Sequence, residues 1–232
     1  MKLVNYISAL FFIQFIAFTT GCNKIVDWGK ENFKQTERYD EGIVKHMHPY
    51  IRSTIVYNQL TTVADFTALF LTDAARMLYV DYYINRHTMS KEKESIMRQR
   101  LLNENKYYIS FYVVCSQSEH LYPDNMSLFT GRYYKNQVML GEKDSEWQVS
   151  LRVKDQTYVP DTVRVVELPI EYQHFLGSHY SQFKSIYLVK FDALDAQDHE
   201  ILTSGYHTVA LQFSSARYKT NVTWKDVIYT SK

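Results

Sequence analysis

Hydrophobic and polar positions along the chain change their period twice, and those changes divide it. Leu3 to Phe18 is apolar apart from Asn5, Ser8 and Gln14, and it follows Lys2 and the free amino terminus. A short apolar run behind a small positive charge reads as a secretory leader. A helix crossing the hydrocarbon core needs ~20 continuous apolar residues, and Gln14 would lie where the bilayer centre falls. Asn23 to Arg38 mixes charges with isolated Ile25, Val26, Trp28 and Phe33 and keeps no period, as a tether would. Gly42 to Tyr57 fits either a short helix or an extended lead-in, with Pro49 preventing any one element through its middle.

From Thr61 the spacing predicts a helix. Thr61 or Thr62 caps it, Asp65 opposes the dipole in its first turn, and Phe66, Phe70, Ala74, Met77, Val80 and Ile84 recur at three and four. Leu69, Leu71, Leu78 and Tyr82 spread the apolar cover almost all round, which predicts a buried central helix closed by Arg86 and His87. Ser90 caps a second helix, Lys91 to Lys106, with Glu92 and Glu94 near its start and a thin stripe of Ile96, Met97, Leu101 and Leu102. This second arm is mostly charged and should face water.

After Lys106 the period becomes two. Strands are predicted over Tyr107 to Cys115, Trp147 to Val153, Tyr158 to Leu168, Ile186 to Phe191, His207 to Phe213 and Val222 to Ile228, with a short one over Ser127 to Thr130. Pro160 places the strand beginning at Tyr158 at an edge or a bend. Helices first and strands afterwards predict an α+β fold, an N-terminal helical hairpin packed on a C-terminal antiparallel β-sandwich of immunoglobulin-like size. The expected organisation is a leader over 1–21, an anchor and tether over 22–38, and one composite domain over 39–232, mainly helical to 106 and a sandwich beyond it.

Composition changes this picture little. Hydrophobic residues make up 46% of the chain, enough for a sizeable core. Taking Lys2 from the 26 basic side chains leaves them balanced against the 25 acidic ones, so neither nucleic acid nor an anionic membrane surface is implied as a partner. The 20 tyrosines suit strands with one wet face or surfaces that meet a partner. Cys115 lies in the apolar run Tyr107 to Cys115, without a histidine or cation beside it, and reads as a buried small hydrophobe.

The remaining cysteine ends the leader in Phe18-Thr19-Thr20-Gly21-Cys22. In this the chain resembles bacterial lipoproteins, whose leaders close on a small-residue box followed by cysteine. Thr20 and Gly21 fit that box; Thr19 stands where most such leaders carry leucine. The resemblance implies a thioether-linked diacylglycerol on Cys22, cleavage before it, and a chain held to the membrane through that lipid. Asn23 is not the aspartate that retains enteric lipoproteins at the inner membrane, so the implied location is the bacterial cell envelope, with the outer membrane favoured. With Cys22 lipidated, Cys115 has no intrachain partner for a disulfide.

Candidate chemistry is sparse. His46 and His48 would share one side of an extended segment, but no third metal ligand is nameable, and solvent-facing histidines near a turn are the plainer reading. Asp192, Asp195, Asp198 and Glu200 lack the alternate-residue carboxylates and the glycine of a calcium loop, and read as a soluble acidic loop. Gly177-Ser178-His179 is no nucleophile elbow, and neighbours on a strand point to opposite faces. Phosphate-binding, dinucleotide, C-x-x-C and H-E-x-x-H signatures are missing from the sequence, so no metal and no cofactor is called for and no catalytic residue is named. Trp147 and Trp224 read as core rings. Two functional readings remain. One is a non-enzymatic envelope lipoprotein that acts as a structural or protein-binding module. The other is an envelope hydrolase or small-ligand carrier with a pocket between helices and sandwich, lined by Arg76, Tyr83 and His87 from the narrow polar strip of the first helix.

Overall fold

The computed structural model describes residues 41–59, 61–117, 140–141, 145–182, 184–203 and 205–229. The chain divides into two compact units between Lys45 and His46, and the second, His46–Lys232, holds both sheets and the helices packed on them. The leader, Cys22, the tether and the short strand expected over Ser127 to Thr130 lie outside the described residues.

Helix α1 (Glu41–Met47) is followed by a 3₁₀ turn, His48–Tyr50, with Pro49 in its first positions, where a missing N–H costs nothing. Both expected readings of this region therefore hold in turn: a short helix, then extended chain. That chain is β1 (Ile51–Asn58), which pairs antiparallel with β2 (Thr61–Phe70). Helices α2 (Asp73–Arg86) and α3 (Lys91–Tyr107) come next, then β3 (Tyr108–Gln117). Strands β4 (Gln148–Val153), β5 (Gln156–Tyr158) and β6 (Thr162–Val165) lead to a short helix, α4 (Ile170–Leu176), and to β7 (Ser185–Asp192), β8 (Gly205–Ser214) and β9 (Lys219–Tyr229). The strands form two antiparallel sheets, ordered β1-β2-β3-β7-β6 and β5-β4-β8-β9.

The result is a sandwich-like α+β fold. Phe66 and Phe70 from the five-stranded sheet meet Trp147, Phe213 and Trp224 from the other side: Phe66 stacks on Phe213 at 4.2 Å and abuts Trp147 at 5.0 Å, and Phe70 abuts Trp224 at 5.5 Å. Both tryptophans are core rings as expected, and Cys115 is fully buried in β3. The opposite face of the five-stranded sheet is covered too. Leu69, Tyr112 and Leu188 are register partners across β2, β3 and β7, and Tyr112 packs against Tyr172 of α4, which stacks on Tyr79 of α2 at 4.3 Å.

This double cover explains where the expected helix goes wrong. Thr61–Phe70 is a strand, and the helix begins only at Asp73, capped by Thr72, whose hydroxyl accepts the N–H of Ala75 at 3.2 Å. A strand buried on both faces shows a continuous apolar run in place of alternation, and so mimics a helix apolar all round. Nor is there an N-terminal helical hairpin ahead of the sheets. Two strands precede α2 and α3, and the helices form an insertion between the neighbouring strands β2 and β3. Ser90 does cap α3, accepting the N–H of Lys93. Helix α4 leaves little trace in the sequence pattern because Pro169 and Gly177 bracket only two turns.

The stretch Tyr158 to Leu168 divides into the end of β5, an irregular link through Pro160 with a bend at Asp161, the edge strand β6 and the irregular chain after it. Gly141 has φ +89, and a Cβ there would stand 2.6 Å from the side chain of Val163, so both backbone and space demand glycine.

Candidate functional site

Beneath the helices lies a polar cluster built from three elements, in which the Glu104 side chain is 31% exposed and the buried Nη2 of Arg76 has no hydrogen-bond partner. Arg76 of α2 is 3% exposed; its Nε donates to Asn105 Oδ1 at 2.7 Å and its Nη1 to Glu104 Oε2 at 3.0 Å, both on the last turns of α3. Asn105 in turn donates to Asp73 Oδ1 at 2.8 Å, and Lys190 of β7 holds the second oxygen of Glu104. Capping by Thr72 sets the register of α2 that points Arg76 inward, and the alternation of β7 places Lys190 on the helix side of the sheet.

Burial alone would push the Glu104 carboxyl up. The hydrogen bond from Lys190, the fields of Arg76 and Lys190 and the hydrogen bond from Arg76 more than offset that and hold it below its ordinary value. The tyrosines alongside move the other way. Burial, with the nearby Glu171 carboxylate, pushes the Tyr79 phenol up to about 12, and burial raises Tyr172 well above 10. Glu104 is thus held charged and Tyr79 and Tyr172 neutral through the physiological range. The cluster is suited to clamping helices to the sheet. Proton transfer needs a group shifted toward neutral pH, and these shifts run the opposite way.

Of the three residues expected to line one pocket, Tyr83 and His87 are in ring contact, while Arg76 is bonded to α3. Tyr83 is half-buried, with its ring on that of His87 at 4.2 Å, and His87 is an exposed helix-capping residue whose Nδ1 lies 3.0 Å from the carbonyl of Tyr83. Between helices and sheet, Tyr172 of α4 stacks on Tyr79 and packs against Tyr112.

Among the described residues, a cleft of about 460 Å³ beside α4 and β7 is lined by Leu168, Gln173, Tyr180, Lys184 and Ile186 among others. Two more lie elsewhere. One, of about 640 Å³ at an end of the sandwich, is lined by Asn58, Val63, Trp147, Arg217 and Tyr218 among others. The buried Trp147 Nε1 has no hydrogen-bond partner, but it is shut off from solvent and so from anything occupying that cleft. The other, of about 350 Å³, lies between α2 and α3. Tyr79, Tyr83, Met89 and Met97 form its apolar lining, with Ile96, Lys93 and Arg100 around them. Tyr83 lines this cleft between the helices. The signal available in sequence was the Lys93, Met97, Arg100 spacing, which puts two cations around a methionine on one face of α3.

Other expected features resolve plainly. His46 and His48 are both exposed, and among the described residues no group of three His, Cys, Asp or Glu side chains is placed to hold a metal ion. Asp195 accepts the N–H groups of His199 and Gln197 at 2.9 and 2.8 Å, which lower its pKa and fold the acidic loop on itself. Ser178 and His179 sit in a 3₁₀ turn, where the His179 ring faces Thr67 Oγ1 at 3.3 Å. Burial pushes the Cys115 thiol up to about 12, with the Asp65 carboxylate adding to it, far from a reactive thiolate. Comparison with known proteins finds no protein-family model, no curated protein and no solved structure that matches this chain.

Proposed function

We propose that the protein is a bacterial envelope lipoprotein, anchored through lipid on Cys22, whose folded body is a non-enzymatic structural or protein-binding module. The observation that carries this is the leader closing on Gly21-Cys22, a short apolar run followed by the small residues a lipoprotein-processing peptidase accepts. The pairing of Arg76 and Lys190 with Glu104 supports the second half, because these groups tie α2 and α3 to β7.

The anchor is tested by metabolic labelling with radioactive palmitate, followed by mass spectrometry of the mature amino terminus. Label should enter the native chain and be lost in Cys22→Ser, and the first residue should be a modified Cys22. An unlabelled protein recovered from cytosol with Met1 attached would overturn the anchor. The binding role is tested separately: repeated purification from solubilised envelope that returns this chain alone would speak against it.

A further inference from the structure

We infer that the cleft between α2 and α3 is the docking site for an acidic segment of a partner protein carrying an apolar anchor residue. This rests on the binding-module reading and names the chemistry of its partner; it does not depend on lipidation.

The warrant is a concave apolar site with unanswered positive charge around it. Tyr79 and Tyr83 give it rigid rings, and Met89 and Met97 give it flexible, polarizable walls of the kind that adapt to a partner's side chain. Ile96 stands 59% exposed beside it. A volume of about 350 Å³ accommodates one or two apolar side chains of an incoming segment.

Lys93 and Arg100 are exposed, two turns apart on α3, and among the described residues neither has a carboxylate within ion-pairing distance. Of the carboxylates nearby, Glu94 and Asp81 are held by Arg98, at 2.9 and 2.6 Å, Glu171 is 4% exposed, and Glu92, beside Lys93 in the chain, is exposed without ion-pairing it. The whole chain has a formal net charge of only +1, so these cations mark a local preference and not a general basicity. Charge complementarity therefore selects an acidic occupant, while the concave rings select an apolar anchor within it. A lipid surface is the poorer match, because insertion uses several protruding apolar residues and here Ile96 alone stands out.

The test measures binding of the full chain, in detergent, to labelled synthetic peptides by fluorescence anisotropy. One peptide carries a Leu-Phe pair between glutamates, a second replaces the pair with Gly-Ser, and a third replaces the glutamates with lysines. Saturable binding is expected for the first alone. It should weaken about tenfold or more in Lys93→Glu/Arg100→Glu and fall as salt rises from about 0.05 to 0.5 M. Both substitutions are on solvent-exposed side chains, and Ile96→Ser supplies an uncharged variant that should also weaken binding; thermal melts confirm that each is folded.

Equal binding to the charge-reversed variant, or no saturation in the millimolar range, overturns the inference. So does co-sedimentation with phosphatidylglycerol vesicles that depends on Lys93 and Arg100 while the peptides fail, which would assign the site to a membrane. Envelope partners recovered with the native chain and retained undiminished by both variants would leave the binding-module reading standing and remove this site from it.

Discussion

Glu104 shows best how single residues act here. It is the shared counter-ion of buried Arg76 and of Lys190, and its own side chain is 31% exposed. Glu104→Gln leaves both cations without their carboxylate, at a cost of about 2 kcal/mol at neutral pH, less than for a fully buried pair because water reaches the site. The pH dependence has a definite sign. A carboxyl whose folded pKa lies below its unfolded one stabilises the fold above the unfolded value and loses that contribution as pH falls through the folded value. The stability gap between native chain and Glu104→Gln, measured by urea unfolding, should be full above about pH 5 and shrink as the pH falls through the lowered folded value. A gap unchanged at low pH would mean that Glu104 acts through packing alone. None of this was legible in sequence. Arg76 was visible as a polar break in an apolar helix, but its partners Glu104 and Asn105 lie 28 and 29 positions away, and spacing carries no information about such pairings.

Among the elements, β2 and α3 make opposite demands on the sequence. Strand β2 is buried on both faces, and Phe66 sits at its centre against Phe213 and Trp147. Helix α3 keeps only Asn105 fully buried. Phe66→Ala should cost about 4 kcal/mol by opening a cavity between the sheets, whereas Ile96→Ser on α3 should stay within about 0.5 kcal/mol. Chemical denaturation of both variants distinguishes this from a fold in which Thr61 to Arg86 is one helix; there Phe66 and Ile96 would not differ so sharply. Strands with one wet face, such as β4 and β8, were readable because alternation survives in them. Capping of α3 at Ser90 was readable because it is local. The apolar run from Ala64 to Leu71 was not, because periodicity is erased once both faces are dry.

For the whole folded unit, the five-stranded sheet is common to two cores, one against the four-stranded sheet and one against the helices. Loss of either would strip a face of β2, β3 and β7, so the two should melt together. A chain beginning at His46 should give coincident thermal transitions by circular dichroism at 222 nm, which weights the helices, and by fluorescence of Trp147 and Trp224, which report the inter-sheet core. Separated transitions would show the helical layer to be an independent folding unit.

Taken by itself, the amino-acid sequence determined the mixed class of the fold, the strands that keep a wet face, the burial of Trp147, Trp224 and Cys115, and the expectation of a lipid-bearing Cys22. Each of these depends on neighbours in the chain or on hydrophobicity alone. Tertiary structure decided that Thr61–Phe70 is a strand, that the helices enter between β2 and β3, that Arg76 is bonded to α3 while Tyr83 and His87 are in ring contact, and that Lys93 and Arg100 flank an open cleft. The physical reason is that these depend on what lies across a sheet or beneath a helix, and burial on two faces removes the periodic signal from which such neighbours could be inferred.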